Sequence, residues 1–388
     1  MGKMARSPHN RLVLTFALAG FASAIATRLT DPLVAVLAVD FVADPGRVAL
    51  LATAFALPYA LVQPVLGPVA DALGKRRVIA FALAFQALFL AASALAPTLL
   101  ILMLLRVLTG MAGGGIFPVT LALFGDRVPL AERQVAISRF LACAIAGQMA
   151  GGAAAGLLEP LIGWRGLMLL CAAISTLALI PILRDRTPDA RAPFDLSQAL
   201  ARYRFLLTHR PALTLFWAVG VEGLLVFGGF PYFANHLYAS GMGGTREAGL
   251  TVAAFGCGGF LYAALAPMLV ARLGPRRMMR LGAGLAATGL ATMALAEVAP
   301  LFIAAGALLG TGFFMLHNSL QTRVTEVAPQ SRASAVAMHA FHFFLGQAAG
   351  PVVMGALRDS IGLPAGLLIA GALLVILGVV MGMKRNTS

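Results

Sequence analysis

The stretch "TRLTDPL" at positions 27–33 sets a cation, Arg28, and an anion, Asp31, three residues apart in a run from Leu12 to Val39 that holds no other charge. That spacing is about one helical turn, so both side chains are expected on one helix face, where an ion pair hides each charge. Of the 15 acids, only Asp31 and Glu222 lie well inside apolar segments, and Arg106 is the other deep cation. Ionised groups in hydrocarbon are expensive, so they pair, face a cavity or exchange protons. Glu222 has no cation in its own run and is the first candidate to carry a proton. Asp31 is a proton carrier only once its pair with Arg28 breaks, and a substrate competing for Arg28 or Asp31 is one way to break it. Arg106 is suited to binding an anion or pairing with Asp31. "HNSLQ" puts His317, Asn318 and Gln321 at helical spacing, a polar patch for substrate contact or for hydrogen bonds between helices. His339 and His342 form a further i,i+3 pair, read as lying near a helix end. Phe16, Phe21, Trp217, Phe227, Tyr232, Phe233 and Tyr262 are candidates to line an amphipathic cavity.

These residues need a frame, and composition says which kind. The chain has 388 residues, 60% hydrophobic and 11% charged, with a mean hydropathy of +0.89. A soluble domain is about 45–50% apolar and about 25% charged. This chain lacks the polar surface that water requires and reads as an all-α polytopic membrane protein with a lipid bilayer as its surroundings. The net charge of +14 does not point to nucleic acid, because the charges recur in short clusters between apolar runs rather than forming one stripe. Cys143, Cys171 and Cys257 have no metal or redox spacing and read as small buried hydrophobes.

Apolar runs long enough to cross a bilayer, about 17–25 residues, fall at 12–39, 48–66, 78–96, 99–124, 135–158, 166–183, 212–235, 248–270, 279–297, 300–322, 334–357 and 362–383. The first continues past "AIA" at 24–26, so it is read as a helix and not a cleavable signal. Lys and Arg cluster at Lys3–Arg11, Lys75–Arg77, Arg127–Arg139, Arg184–Arg210, Arg272–Arg280, Arg323, Arg332 and Lys384–Arg385, against only Arg47, Arg165, Arg246 and Arg358 on the other side. This bias places both termini in the cytoplasm of a bacterial-type inner membrane. The organisation expected is 1–184 as one six-helix bundle, 185–210 as a cytoplasmic linker, and 211–388 as a second bundle. Within the linker, "DLSQ" at 195–198 fits a capping box, and Leu196, Leu200, Tyr203 and Leu207 suggest a short amphipathic helix on the membrane face.

The halves repeat. Gly74, Arg76 and Arg77 fall on Gly274, Arg276 and Arg277, Gly110 on Gly310, and Pro129 on Pro329, all at one offset. The offset then drops by one: Gly147, Gln148, Gly151 and Gly156 fall on Gly346, Gln347, Gly350 and Gly355, and Pro32 on Pro231. Six runs separate the copies, so they are parallel repeats about an axis along the membrane normal, an arrangement suited to alternating access. The GxxxG pairs Gly147/Gly151 and Gly346/Gly350 permit close helix approach.

Gly67, Asp71, Gly74, Lys75, Arg76 and Arg77 after the second run, with Arg106 and Gly110 in the fourth, resemble the signatures of the major facilitator superfamily over essentially the full chain. The second copy of the loop has Ala271 in place of the acid. The resemblance implies the major facilitator fold with helices 1, 4, 7 and 10 lining a central cavity, so that Asp31 and Glu222 face it. It also implies a cytoplasmic gating loop at Gly67–Arg77 and a proton-coupling role for Arg106. Gly147, Gly151 and Gly156 resemble the helix 5 pattern of twelve-helix exporters. Gly152 stands where that pattern has Pro, Ala155 where it has Gly, and Pro351 appears in the helix 11 copy. The reading favoured is a monomeric secondary transporter, a proton-coupled antiporter exporting small amphipathic molecules (drugs, sugars or metabolites), with no cofactor. A symporter or uniporter taking up a small polar solute is the alternative. No HExxH, GxSxG or P-loop is present, which argues against an enzyme and against direct ATP drive. No loop exceeds about 30 residues, which leaves a receptor or scaffold without an appendage.

Overall fold

Helices make up nearly all of the computed structural model, which describes residues 8–189, 194, 196–327 and 332–383. They are α1 (Pro8–Arg28), α2 (Val34–Asp40), α3 (Pro45–Leu73), α4 (Lys75–Ser93), α5 (Leu99–Gly113), α6 (Ile116–Arg127), α7 (Leu130–Arg184), α8 (Leu196–Thr208), α9 (Arg210–Phe227), α10 (Phe233–Ala239), α11 (Thr245–Leu295), α12 (Ala299–Val327), α13 (Arg332–Ile361) and α14 (Leu363–Gly382), with no strand among the described residues. Among the described residues, ten stretches are long and apolar enough to cross a membrane. Two of them, α7 and α11, have 55 and 51 residues, more than twice the ~20 that a bilayer needs. Each turns at one glycine with non-helical backbone, Gly163 (φ 66°) and Gly274 (φ 67°). Each therefore holds two crossings, and the total is twelve, six before α8 and six after.

The tight turns obey the repeat. Gly74 (φ 98°) pairs with Gly274 at the larger of the two repeat offsets, and Gly163 pairs with Gly362 (φ 86°) at the smaller. Left-handed backbone costs a side-chain-bearing residue strain that glycine avoids. Proline punctuates the first crossing of each half. Pro32 has no amide hydrogen, so the carbonyl four residues back at Arg28 loses its helical donor. There α1 stops, and α2 restarts at Val34. Pro231 acts likewise on Phe227, where α9 stops. The expectation that Arg28 and Asp31 share a helix face is corrected here: Asp31 lies in the break beyond the helix end, and the pair forms across a turn.

Small residues let the crossings touch. A methyl group on Gly147 or Gly151 would meet the backbone of Phe21 or Ile25 in α1, and one on Gly346 or Gly350 would meet Gly220, Leu224 and Gly228 near the equivalent α9. Gly110 and Gly310 abut the carbonyls of Phe55 and Phe255 in the same way. Gly152 and Gly156 instead press on Val252, Gly249 and Arg246 of α11, joining the two halves. The Thr53 hydroxyl donates to the Ala348 carbonyl at 2.7 Å, a second tie between the halves.

The linker helix α8 answers a defect in α3. Pro68 cannot donate to the Pro64 carbonyl, and the Tyr203 hydroxyl donates to that carbonyl at 2.9 Å. The expected apolar stripe is shifted: Leu206 is buried while Leu200 and Leu207 are exposed. Asp195 of the capping box, Pro329, Lys3, Arg6, Lys384 and Arg385 lie outside the described residues. Cys171 is buried and Cys143 half-buried, but Cys257 is exposed on an apolar helix, so that one is not a core residue.

Gly346→Ala is expected to lower stability by about 1–3 kcal/mol through overpacking. Gly67→Ala, where an added methyl meets nothing, should stay within about 0.5 kcal/mol of the parent or gain slightly. Thermal unfolding of the purified variants side by side checks both.

Candidate functional site

A cavity of about 420 Å³ lies between the halves, within the range of about 300–1,000 Å³ typical of small-molecule sites. It sits between the middle of the bundle and the face on which the described chain begins and ends. Its wall takes Ser23, Thr27 and Arg28 from α1, Tyr59 and Gln63 from α3, and Ser138 and Gln148 from α7. The other half contributes Phe227, Tyr262, Phe313, Phe314, His317, Asn318, Gln321, His339, Phe343, Phe344 and Gln347. Across the wall the rings of Tyr59 and Phe344 come within 4.0 Å, centroid to centroid.

Arg28 closes the far end. Its Nη1 lies 3.3 Å from Asp31 Oδ2, and its Nη2 donates to Gln347 Oε1 in the other half. Its guanidinium rests 4.0 Å from the Phe227 ring centroid. Arg28 and Phe227 are related by the smaller repeat offset, so two equivalent positions of the repeat meet here. Asp31 is 1% exposed and is not on the wall; Arg28 stands between it and the cavity. Glu222 is fully buried and also off the wall. The wall residue His317 reaches it, with Nδ1 2.8 Å from Oε2, while Oε1 has no partner among the described residues. The expectation that both acids face the cavity is therefore corrected: each is covered by a basic side chain that does.

Arg106 is fully buried and does not line the cavity. Its Nη1 donates to the Ala26 carbonyl at 3.0 Å, and its guanidinium lies 4.4 Å from the Phe55 ring. No bond joins it to Asp31, although its charge acts on that carboxylate. His317, Asn318 and Gln321 all stand on the wall. His339 does too, and it lies near the start of α13, as expected. Its ring lies 5.1 Å from that of His317, and neither of its nitrogens has a partner among the described residues. His342 is satisfied by the Met338 carbonyl at 2.7 Å. Among the aromatic candidates, Phe227 and Tyr262 line the cavity, whereas Phe16 and Phe233 are core residues and Trp217 is exposed. Gln148 and Gln347, wall residues that the search for deep charges passes over, carry one sequence signal, the repeated "GQ".

The loop expected at Gly67–Arg77 is corrected to a single-residue turn at Gly74 between α3 and α4, apart from the cavity. Lys75 Nζ bridges Asp71 at 2.6 Å and Asp126 at 2.8 Å. The Arg76 amide donates to Asp189 Oδ2 at 3.2 Å, and Arg77 is exposed. Asp189 also lies against Gly74. Arg127 clasps both Asp185 and Asp189, each at 2.6 Å. The segment after α7 thus straps the loop to the end of α6. Burial pushes the Asp185 carboxyl up, but the Thr187 hydroxyl and amide and the Arg127 guanidinium outweigh it and hold the group below its ordinary 3.8.

Twelve crossings in two parallel repeats around one interfacial cavity define a membrane transporter. The family model for the Major Facilitator Superfamily matches residues 16–351 and, in a second match, 246–387, and the chain belongs to that family. The chain is 26% identical over 385 residues to a "Multidrug resistance protein B homolog" of Mycobacterium tuberculosis, covering 81% of this chain and 70% of that one. It is 31% identical over 124 residues to the 4-hydroxybenzoate transporter PcaK of Pseudomonas aeruginosa, covering 32% of this chain and 28% of that one. In fold it is similar to the nucleoside transporter NupG, with a TM-score of 0.77 at 15% identity over 96% of this chain and 100% of that one.

Arg28→Ala leaves Asp31 buried without its hydrogen-bonded cation and should cost about 3–5 kcal/mol, with part recovered in the double variant Arg28→Ala/Asp31→Asn; thermal unfolding of the three proteins measures the difference. Asp185 gives a pH signature. Its folded-state carboxyl sits below 3.8, so its contribution is complete above that value and fades as pH falls through the folded value. Asp185→Asn should be less stable than the parent at pH 6, and the gap should close below about pH 4; unfolding temperatures from pH 7 to 3 read it.

Proposed function

We propose that this transporter is a proton-coupled antiporter that exports small amphipathic molecules by alternating access. The observation that carries the reading is the Glu222–His317 pair: a buried carboxylate, one oxygen of which has no partner among the described residues, in contact with an imidazole on the cavity wall. Protons pass between His317 and Glu222, while the transported molecule is held by Arg28, His317, Asn318 and Gln321. Asp31 and Arg106 act with them, Arg106 through the Ala26 carbonyl beside the break in the first crossing. Arg28 binds Asp31 in its own half and Gln347 and Phe227 in the other, so a substrate group that draws Arg28 off Gln347 and Phe227 loosens the seal between halves. Residues 1–184 and 211–388 then rock as two bundles about the contacts of Gly152 and Gly156 with α11, while Gly147, Gly151, Gly346 and Gly350 hold the helices together within each bundle and 185–210 links the two.

In this reading the protein works as a monomer in a bacterial-type inner membrane with both termini cytoplasmic, which makes the cavity inward-facing and Gly67, Asp71, Gly74, Arg76 and Arg77 the cytoplasmic gate. Similarity to a multidrug resistance protein homolog across most of the chain supports export. The shorter match to a 4-hydroxybenzoate transporter keeps uptake as the competing direction.

Transport assays in inside-out vesicles, with a panel of amphipathic solutes and an imposed proton gradient, decide the mechanism. Glu222→Gln is expected to reduce gradient-driven accumulation to the rate without a gradient while leaving solute exchange at equilibrium intact. Undiminished gradient-driven transport by that variant would remove Glu222 from coupling, and accumulation of solute together with protons would reverse the direction.

A further inference from the structure

The charge on the cavity wall is one-sided. Its lining includes Arg28 and, among the described residues, no aspartate or glutamate, because Asp31 and Glu222 both sit behind basic partners. The far end is also short of negative charge. Two guanidiniums, Arg28 and Arg106, share one carboxylate, Asp31, and Arg28 Nε, Arg106 Nε and Arg106 Nη2 have no hydrogen-bond partner among the described residues. Buried cations in this state are stabilised by a second anion. An organic cation entering the cavity would meet no carboxylate.

His339 supplies the second observation. It is 2% exposed, stands on the wall, and neither ring nitrogen has a partner among the described residues. Buried polar groups are ordinarily satisfied, and a neutral imidazole offers one N–H donor and one acceptor. The titratable groups around it are His317 and His342, with Glu222 behind His317. The walls between Arg28 and His339 are aromatic, including Phe313, Phe343 and Phe344, and such faces stack on flat rings.

We propose that the transported molecule is an aromatic organic anion, its acidic group held by Arg28, its rings between the phenylalanines, and a hydrogen-bonding substituent met by His339. This rests on reading the cavity as the transport site and narrows the amphipathic class to one sign of charge.

Three isosteric probes test it on the purified full chain without a proton gradient: 2-naphthoate, 2-naphthamide and 2-naphthamidinium, by calorimetry or equilibrium dialysis. Naphthoate should bind at least about tenfold more tightly than either of the others, the scale of one hydrogen bond to a charged group. Arg28→Gln should abolish that preference, Arg28→Lys should keep part of it, and His339→Phe should weaken binding of 6-hydroxy-2-naphthoate, whose phenol His339 would meet, while leaving 2-naphthoate binding and the unfolding temperature unchanged. If Arg28→Gln does not fold, the parent protein and Arg28→Lys still decide. Equal or tighter binding of the amidinium, saturable binding by none of the three, or a preference that survives in folded Arg28→Gln overturns the proposal. Proton release on binding, read in weakly buffered solution, separates it from the coupling mechanism. Naphthoate preference without proton release sinks antiport and keeps the anion site; proton release driven by the amidinium does the reverse.

Discussion

A carboxylate removed from water must find a cation or a donor, because its desolvation outweighs any packing it gains. Much of this structure follows from how that demand is met twice. Asp31 has Arg28 and Glu222 has His317, and in both cases the base, not the acid, forms the cavity wall. The wall is consequently basic and aromatic. The Arg28 head group, already drawn to the interface by Asp31, also receives Gln347 and the face of Phe227 from the other half. One electrostatic requirement thereby shapes the chemistry of the cavity and ties the two halves together at its end.

The halves share a backbone frame and differ in its filling. Glycine turns, proline breaks and close glycine contacts recur at the two repeat offsets. The chemistry does not recur. Arg28 and Asp31 correspond to Phe227 and Phe230, while Glu222, His317 and His339 correspond to Ser23, Phe117 and Phe140. The first half contributes the paired cation and the second half the imidazoles. Because equivalent positions approach the same axis, Arg28 and Phe227 meet directly, and a symmetric frame yields a cavity with a cationic end and a titratable side.

Much of this is legible in the chain. Charges in apolar runs stand out because hydrocarbon tolerates so few, which marks Arg28, Asp31, Arg106 and Glu222. The "GQ" repeat and Pro32/Pro231 are visible because glycine and proline act on the backbone through their own covalent structure. Other features have no such signal. His339 is legible as a residue near the start of α13, but its orientation into the cavity has no sequence signal. The strap through Arg127, Asp185 and Asp189 joins segments separated by the whole of α7, and charge types alone do not select those partners among the basic residues on that face.

The sequence by itself determined the solvent, the twelve crossings, the repeat and the identity of the deep charges, since each depends on composition or local backbone chemistry. Only the tertiary structure decided which side of each acid–base pair meets the cavity. It also decided that Arg106 serves a carbonyl instead of Asp31, that His339 has no partner among the described residues, and that Arg28 reaches across to Gln347. Those outcomes depend on helix rotation and on how closely small residues let neighbours approach. Both are settled by the packing of all twelve crossings at once, and no single segment encodes them.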